Sequence, residues 1–179
     1  MQADRISLRV PPHQFVAGLG LALWTLVAIA QPVQFANGDA RITLPAGYGH
    51  ELEETGKTIA IRPAQRTLFT FRLTYHSLAH YARDQPYIAE DFIRAIAEKR
   101  GLEVNRIRGS DSVGFIERGG ESMVNAEPAR NMQGVLSLGK GYVTLTLTVP
   151  EKYAQRPEVR AFVAGGMESL LGSLRAGEM

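Results

Sequence analysis

The chain contains no cysteine. Thiol nucleophiles, thiolate metal sites, disulfide staples and thiol redox chemistry are therefore excluded. It contains no N-x-S/T sequon and no run of Lys/Arg interleaved with aromatics. Nucleic-acid binding has no electrostatic footprint here. There is no G-x-S-x-G elbow, which argues against an α/β-hydrolase. His50-Glu51 lacks the second histidine of a zinc-protease helix. Glu51, Glu53 and Glu54 lack the spaced Asp/Asn/Gly ligands of a calcium loop and read as a solvated face. Gly134 to Lys140 imitates the start of a P-loop, but Gly141 stands where Ser or Thr is required. That segment leads into a strand, so a hairpin turn is the better reading. No catalytic signature remains, and neither an enzyme activity nor a cofactor or resident metal is expected.

What is present is an ordinary globular composition: 179 residues, 45% hydrophobic and 21% charged. That length fits one domain. The first thirty residues carry the pattern of an export signal. Arg5 and Arg9 form a positive n-region. Phe15 to Ala30 is an uncharged apolar run of 16 residues, and Ala28-Ile29-Ala30 offers small residues before Gln31. Charge, apolar run and cleavage site together imply secretion. The run is shorter than the ~20 residues a membrane span usually needs. An uncleaved anchor is the alternative, and it leaves the domain on the same external side. A cytoplasmic chain with a buried N-terminal helix is the third reading. With no cysteine after the run and no sequon, a bacterial periplasm is the expected compartment.

Removing residues 1–30 takes away Arg5, Arg9 and Asp4 and leaves 18 basic residues against 17 acidic. The remaining 149 residues can bury enough surface to fold without disulfides. Residues 31–39 (QPVQFANGD) are polar and turn-rich and read as a flexible lead-in. Residues 40–175 read as a single domain. Strands are expected at Ala40–Leu44, Thr58–Arg62 and Leu68–Tyr75. Further candidates are Glu103–Arg108, Val113–Glu117, Ser122–Glu127, Met132–Leu138 and Tyr142–Val149. Gly119-Gly120 and Gly139-Lys140-Gly141 read as hairpin turns. Tyr142–Val149 alternates strictly between apolar residues and Tyr or Thr, which marks a central antiparallel strand. Pro86–Arg100 reads as a helix with Ile88, Phe92, Ile93 and Ile96 on its apolar side. Pro157–Leu174 reads as a second helix. Its stripe is Val159, Phe162, Val163, Met167, Leu170, Leu171 and Leu174. Gly165, Gly166 and Gly172 weaken that helix, with close approach to the sheet as the expected compensation. The fold class is α+β: a largely antiparallel sheet flanked by two main helices, an α/β/α sandwich.

Two segments carry a family resemblance. Ile42-Thr43-Leu44-Pro45-Ala46-Gly47-Tyr48 is similar to the opening strand of the PsbP-like family. Gly141 to Thr146, followed by Phe162 and Glu168 to Leu174, resembles that family's last strand and final helix. The family includes extrinsic photosystem subunits, a Ran-binding import factor and bacterial secretion-effector chaperones. The resemblance implies an α/β/α sandwich whose members mostly bind other proteins. It supplies no catalytic residues.

The most suggestive polar cluster is Tyr75, His76, His80 and Tyr81, with Asp84 just beyond. On a helix, His76 and His80 would share a face and could hold a metal together with Asp84. As a loop, the same residues could contact a ligand or partner, or merely cap the sheet. Arg106, Arg108, Arg118 and Arg130 could form a carboxylate-binding face. The plainer reading of them is charged strand edges. The functional expectation is a non-catalytic periplasmic protein-binding module. A sharper version is an immunity protein against a toxin delivered to that compartment. The alternatives are a metal- or small-ligand-binding protein or enzyme using the Tyr75–Asp84 loop, and an anchored envelope assembly factor.

Overall fold

The structure is a computed structural model that describes residues 30–65, 67–78 and 88–177. Residues 1–29, nearly all of the expected export signal of residues 1–30, and the candidates His80, Tyr81 and Asp84 lie outside them. No helix among the described residues is long and apolar enough to cross a membrane.

Among the described residues ten strands and a few helical segments follow in order. β1 (Gln31–Phe35), β2 (Ala40–Leu44), β3 (Tyr48–Leu52), β4 (Thr58–Pro63) and β5 (Thr70–Ser77) come first. Helix α1 (Ile88–Arg100) leads to β6 (Asn105–Arg106), β7 (Val113–Val124), β8 (Glu127–Leu138) and β9 (Gly141–Pro150). The C-terminal helix is built from α2 (Pro157–Ala161), one wide turn at Phe162–Gly166, and α3 (Met167–Leu171). In the wide turn the Met167 N–H reaches the Phe162 carbonyl, a bond one residue longer than the α-helical one. β10 (Arg175–Ala176) ends the fold.

Seven strands form one sheet in the order β3-β4-β5-β9-β8-β7-β6, and three form a second in the order β1-β2-β10. Every pairing is antiparallel. The fold is the expected α+β sandwich, and β9 is the middle strand of the large sheet, as its alternation implies.

One face of that sheet makes the main core. Phe71, Leu73, Val143, Leu145, Leu147 and Leu136 are buried there against the small sheet and the C-terminal helix. Phe162 sits at its centre, stacked on Phe69 at 4.4 Å and edge-on to Phe71 at 5.6 Å. A second, smaller core lies under α1, where Ile93 and Ala97 pack on Phe115.

Several sequence expectations are corrected. Residues 31–39 are not a lead-in. β1 pairs along its whole length with β2, and Val33, Phe35 and Ala36 are buried. Its alternation is only five residues long and is masked by Gln and Pro between the apolar positions. Gly119-Gly120 is not a hairpin turn but an irregularity inside β7, where the register shifts between Arg118 and Glu121. The turn falls at Asn125-Ala126, both at positive φ, as a two-residue hairpin loop requires. The expected strand Ser122–Glu127 therefore straddles a turn. Tyr48–Leu52, for which no strand was expected, forms the edge strand β3. In α1 the buried line is Ala89, Ile93 and Ala97, while Phe92 is 39% exposed. In the C-terminal helix Val163 is exposed, and the rest of the expected stripe is buried.

The glycine expectation divides. A Cβ at Gly172 would lie 2.5 Å from the Arg108 carbonyl oxygen, whereas one at Gly165 would meet nothing within 4 Å. Gly172→Ala is expected to cost about 1–3 kcal/mol by overpacking. Gly165→Ala is expected to add up to ~1 kcal/mol of helix propensity. Urea denaturation of the two variants checks this, and equal shifts would remove close approach as the reason for Gly172.

Candidate functional site

The far face of the large sheet is built from the polar half of the same strands. β9 turns Tyr142, Thr144, Thr146 and Thr148 to this side, and β5 turns Thr70, Arg72, Thr74 and His76. The register sets Thr70 beside Thr148, Arg72 beside Thr146, Thr74 beside Thr144 and His76 beside Tyr142. β4 adds Thr58, opposite Thr74, and Arg62. Among the described residues, α1 is the helix that packs on this face, and it does so over β7 and β8. The part formed by β4, β5 and β9 carries threonine and arginine, residues that tolerate water while keeping extended backbone.

Contacts across this face run sideways. The Thr58 and Thr74 hydroxyls are 2.9 Å apart. Arg62 donates to Glu51 at 2.7 Å and to the Thr70 hydroxyl at 3.4 Å. Arg72 donates to Glu53 at 3.3 Å. At one end, the His76 ring stacks on Tyr142 with centroids 4.7 Å apart and planes 12° apart, and Tyr142 meets Phe92 at 5.0 Å. His76 Nε2 is 3.1 Å from the Thr144 hydroxyl. At the other end, the β7–β8 hairpin tip and the segment after β9 enclose a groove of about 630 Å³. Arg62, Arg72, Thr148 and Lys152 line it together with Met123, which is 65% exposed. Lys152 pairs with Glu127 at 2.6 Å, and that hydrogen bond raises its pKa.

Burial, and then the nearby Lys57 charge, lowers the pKa of His76, which favours the neutral ring. A neutral imidazole beside a hydroxyl could serve as a base. Among the described residues, however, no carboxylate hydrogen-bonds the ring's other nitrogen to orient it. What the face offers is a broad set of hydroxyl and guanidinium donors with aromatic rings at one end.

The expected cluster is brought together only in part. His76 lies in strand β5, so the helical spacing supposed for His76 and His80 does not apply. Tyr75 points to the opposite side: it is buried in the main core, its pKa raised by burial and then by Asp39. Its ring also abuts Gly141, where a Cβ would lie 2.7 Å from the Tyr75 hydroxyl. Tyr75 and His76 therefore do not share a site. Among the described residues no group of three His, Cys, Asp or Glu could hold a metal ion. The four arginines do not form one face. Arg118 and Arg130 border a common groove beside the C-terminal helix, while Arg106 pairs with Asp111 at β6. The Arg62–Arg72–threonine surface was missed. Its signal was present as the polar half of the alternation in Leu68–Tyr75 and Tyr142–Val149.

No protein-family model and no curated protein matches the sequence. Solved structures do. A crystal structure of a protein from Bacteroides thetaiotaomicron aligns over 83% of this chain at 11% identity and a TM-score of 0.58. This chain spans about half of that protein, 49% of its length. The solution structure of cyanobacterial PsbP (CyanoP) from Synechocystis aligns over 88% of this chain and 98% of its own, at 10% identity and a TM-score of 0.37. At such identities the first likeness speaks to fold alone.

The lowered His76 pKa has a consequence for stability. A histidine held neutral in the fold gains protons mainly in the unfolded chain as the pH drops below its ordinary value of 6.5. Its contribution is present above that pH and is lost as the pH falls toward the depressed folded value. The urea midpoint is expected to fall between pH 7.5 and 5.5, and to fall less steeply in His76→Gln. Identical slopes in the two proteins would rule this out.

Proposed function

We propose that this chain is a non-catalytic, exported protein-binding module of the PsbP-like type. The partner docks on the open threonine–arginine face of the large sheet. The single observation supporting this is the uneven cover of that sheet among the described residues: one face seals a core, and the other carries α1 over β7 and β8, reaching β9 through Phe92 against Tyr142. A stable strand surface with hydroxyl and guanidinium donors, flanked by exposed Phe92 and Met123, suits a protein surface better than a small substrate. The ion pairs there are exposed, and such pairs are worth about 0–1 kcal/mol each, so a partner's carboxylates can replace Glu51 and Glu53 at little cost. The export-signal pattern of residues 1–30 supports a periplasmic setting for this binding. The sharper form of the reading is an immunity protein that occupies a toxin delivered to that compartment.

Two measurements test it. Cells lacking the gene, grown against toxin-delivering kin, are expected to lose viability at least tenfold, and the wild-type gene restores it. Full survival removes the immunity form. Thr146→Arg, which fills the centre of the face, is expected to weaken capture of the periplasmic partner at least tenfold without changing the circular dichroism spectrum. Undiminished capture would take docking off this face.

A further inference from the structure

The two sheets end in four edges, and three carry a device against further pairing. β1 contains Pro32. β10 is two residues long. The β6 side is defended by a two-residue strand and, beyond it, by the β7 irregularity with Arg118 and Glu121. β3 has no proline, no lysine and no bulge, its one carboxylate, Glu51, is paired with Arg62, and no element among the described residues pairs with its outer side.

The outward backbone groups of β3 can be assigned. Ala64 N–H donates to the Gly47 carbonyl at 2.8 Å, and Glu53 N–H to the Thr58 carbonyl at 3.0 Å. Alternation along an antiparallel ladder then makes Gly49 and Glu51 the residues bonded to β4. His50 and Leu52 turn both N–H and C=O outward. Tyr48 turns out its carbonyl, since its N–H is given to Pro45 at 3.3 Å.

We propose that β3 pairs antiparallel with β3 of a second copy of this chain, about a two-fold axis at His50. The strand is self-complementary in that register. Tyr48 meets Leu52 of the second copy, which covers a leucine left 46% exposed. Glu51 meets Gly49, and just beyond the strand Glu53 and Glu54 meet Gly47 and Ala46. The acidic row of one copy therefore opposes only glycine and alanine in the other. Sliding the strands by two positions to centre on Glu51 sets that residue against itself, a like-charge opposition that destabilises a pair. The pairing joins two seven-stranded sheets into one and leaves the open face of each copy free.

Since the chain lacks cysteine, a single introduced thiol reports the register. In the proposed pair the two copies of residue 50 have Cα atoms ~5.5 Å apart, inside the range a disulfide spans. The two copies of residue 52 are four residues offset, ~13 Å apart. His50→Cys in the full chain, treated with a copper–phenanthroline oxidant, is expected to give a covalent dimer of twice the 19.6 kDa chain mass. Leu52→Cys is expected to remain monomeric on a denaturing gel. His50→Pro removes an N–H that points away from β4, so it is expected to keep the native circular dichroism spectrum and to shift sedimentation from dimer to monomer. Wild-type protein sedimenting as a monomer at 100 µM, equal cross-linking of the two cysteine variants, or a His50→Pro dimer overturns the proposal. So does a cross-link to a different protein in place of the dimer. None of these outcomes depends on the open face, so this proposal and the functional reading fail separately.

Discussion

The strict two-sidedness of β9 is the constraint on which the rest of the molecule depends. Val143, Leu145, Leu147 and Val149 fall on one side, Tyr142, Thr144, Thr146 and Thr148 on the other, and β9 lies at the middle of the seven-stranded sheet. A strand's side chains have a period of two, so a one-residue slip would send four apolar residues into water and four polar ones into the core. That penalty fixes the register with both neighbours, β5 and β8. It also assigns each face its task before any helix is placed.

The core face then recruits the chain's ends. Phe162, delivered by the C-terminal helix, packs against Phe69 and Phe71. Past that helix, β10 adds to β2, and Gly177 N–H donates to the Asp39 carbonyl at 2.8 Å. The small sheet thus ties the beginning of the described chain to its end. The wide turn at Phe162–Gly166 lies in the same helix that must bring both Phe162 and Leu170 onto the core. The Gly172 backbone meets the Arg108 carbonyl just beyond.

Elements with long periodic patterns were legible in the sequence: β5, β9, α1 and the C-terminal helix, and with them the α+β class. Elements whose identity depends on a neighbour were not. Four of the five residues of β3 are exposed and it has no apolar alternation to read; it is a strand because β4 offers it a ladder. β1 is a strand because Val33 and Phe35 find the main core. Gly119-Gly120 has turn composition, yet the chain runs through it, because Asn125-Ala126 closes the hairpin and β8 continues to pair beyond the irregularity. On the site side, His76 was legible as a polar residue near a strand end. Its separation from Tyr75 follows from strand alternation, which the helical spacing to His80 obscured. Phe92 was assigned to the core of α1 from its four-residue spacing with Ile88 and Ile96. The narrower line Ala89–Ile93–Ala97 fits against Phe115, and that choice depends on the sheet surface beneath.

The docking proposed for the open face needs a sheet surface that is ordered before a partner arrives. A bare apolar sheet face would aggregate, and a face of lysine and glutamate would weaken the strands. Threonine resolves the conflict: its branched Cβ favours extended backbone, and its hydroxyl satisfies either water or a neighbour. The Thr58–Thr74 contact and the Arg–Glu pairs provide such neighbours in the free protein. The Arg–Glu pairs lie at the surface, so exchanging them for a partner's groups would incur little desolvation, whereas Thr58 is buried and stays with Thr74. Specificity on such a face must come from the ends, where the His76–Tyr142–Phe92 stack and the Met123 tip supply apolar area beside the donors. Rigidity comes from behind, because every threonine of β9 alternates with a residue locked in the main core. In the proposed docking a partner would meet a surface whose ordering was completed when the domain folded, and preorganisation of that kind lowers the entropy lost on binding.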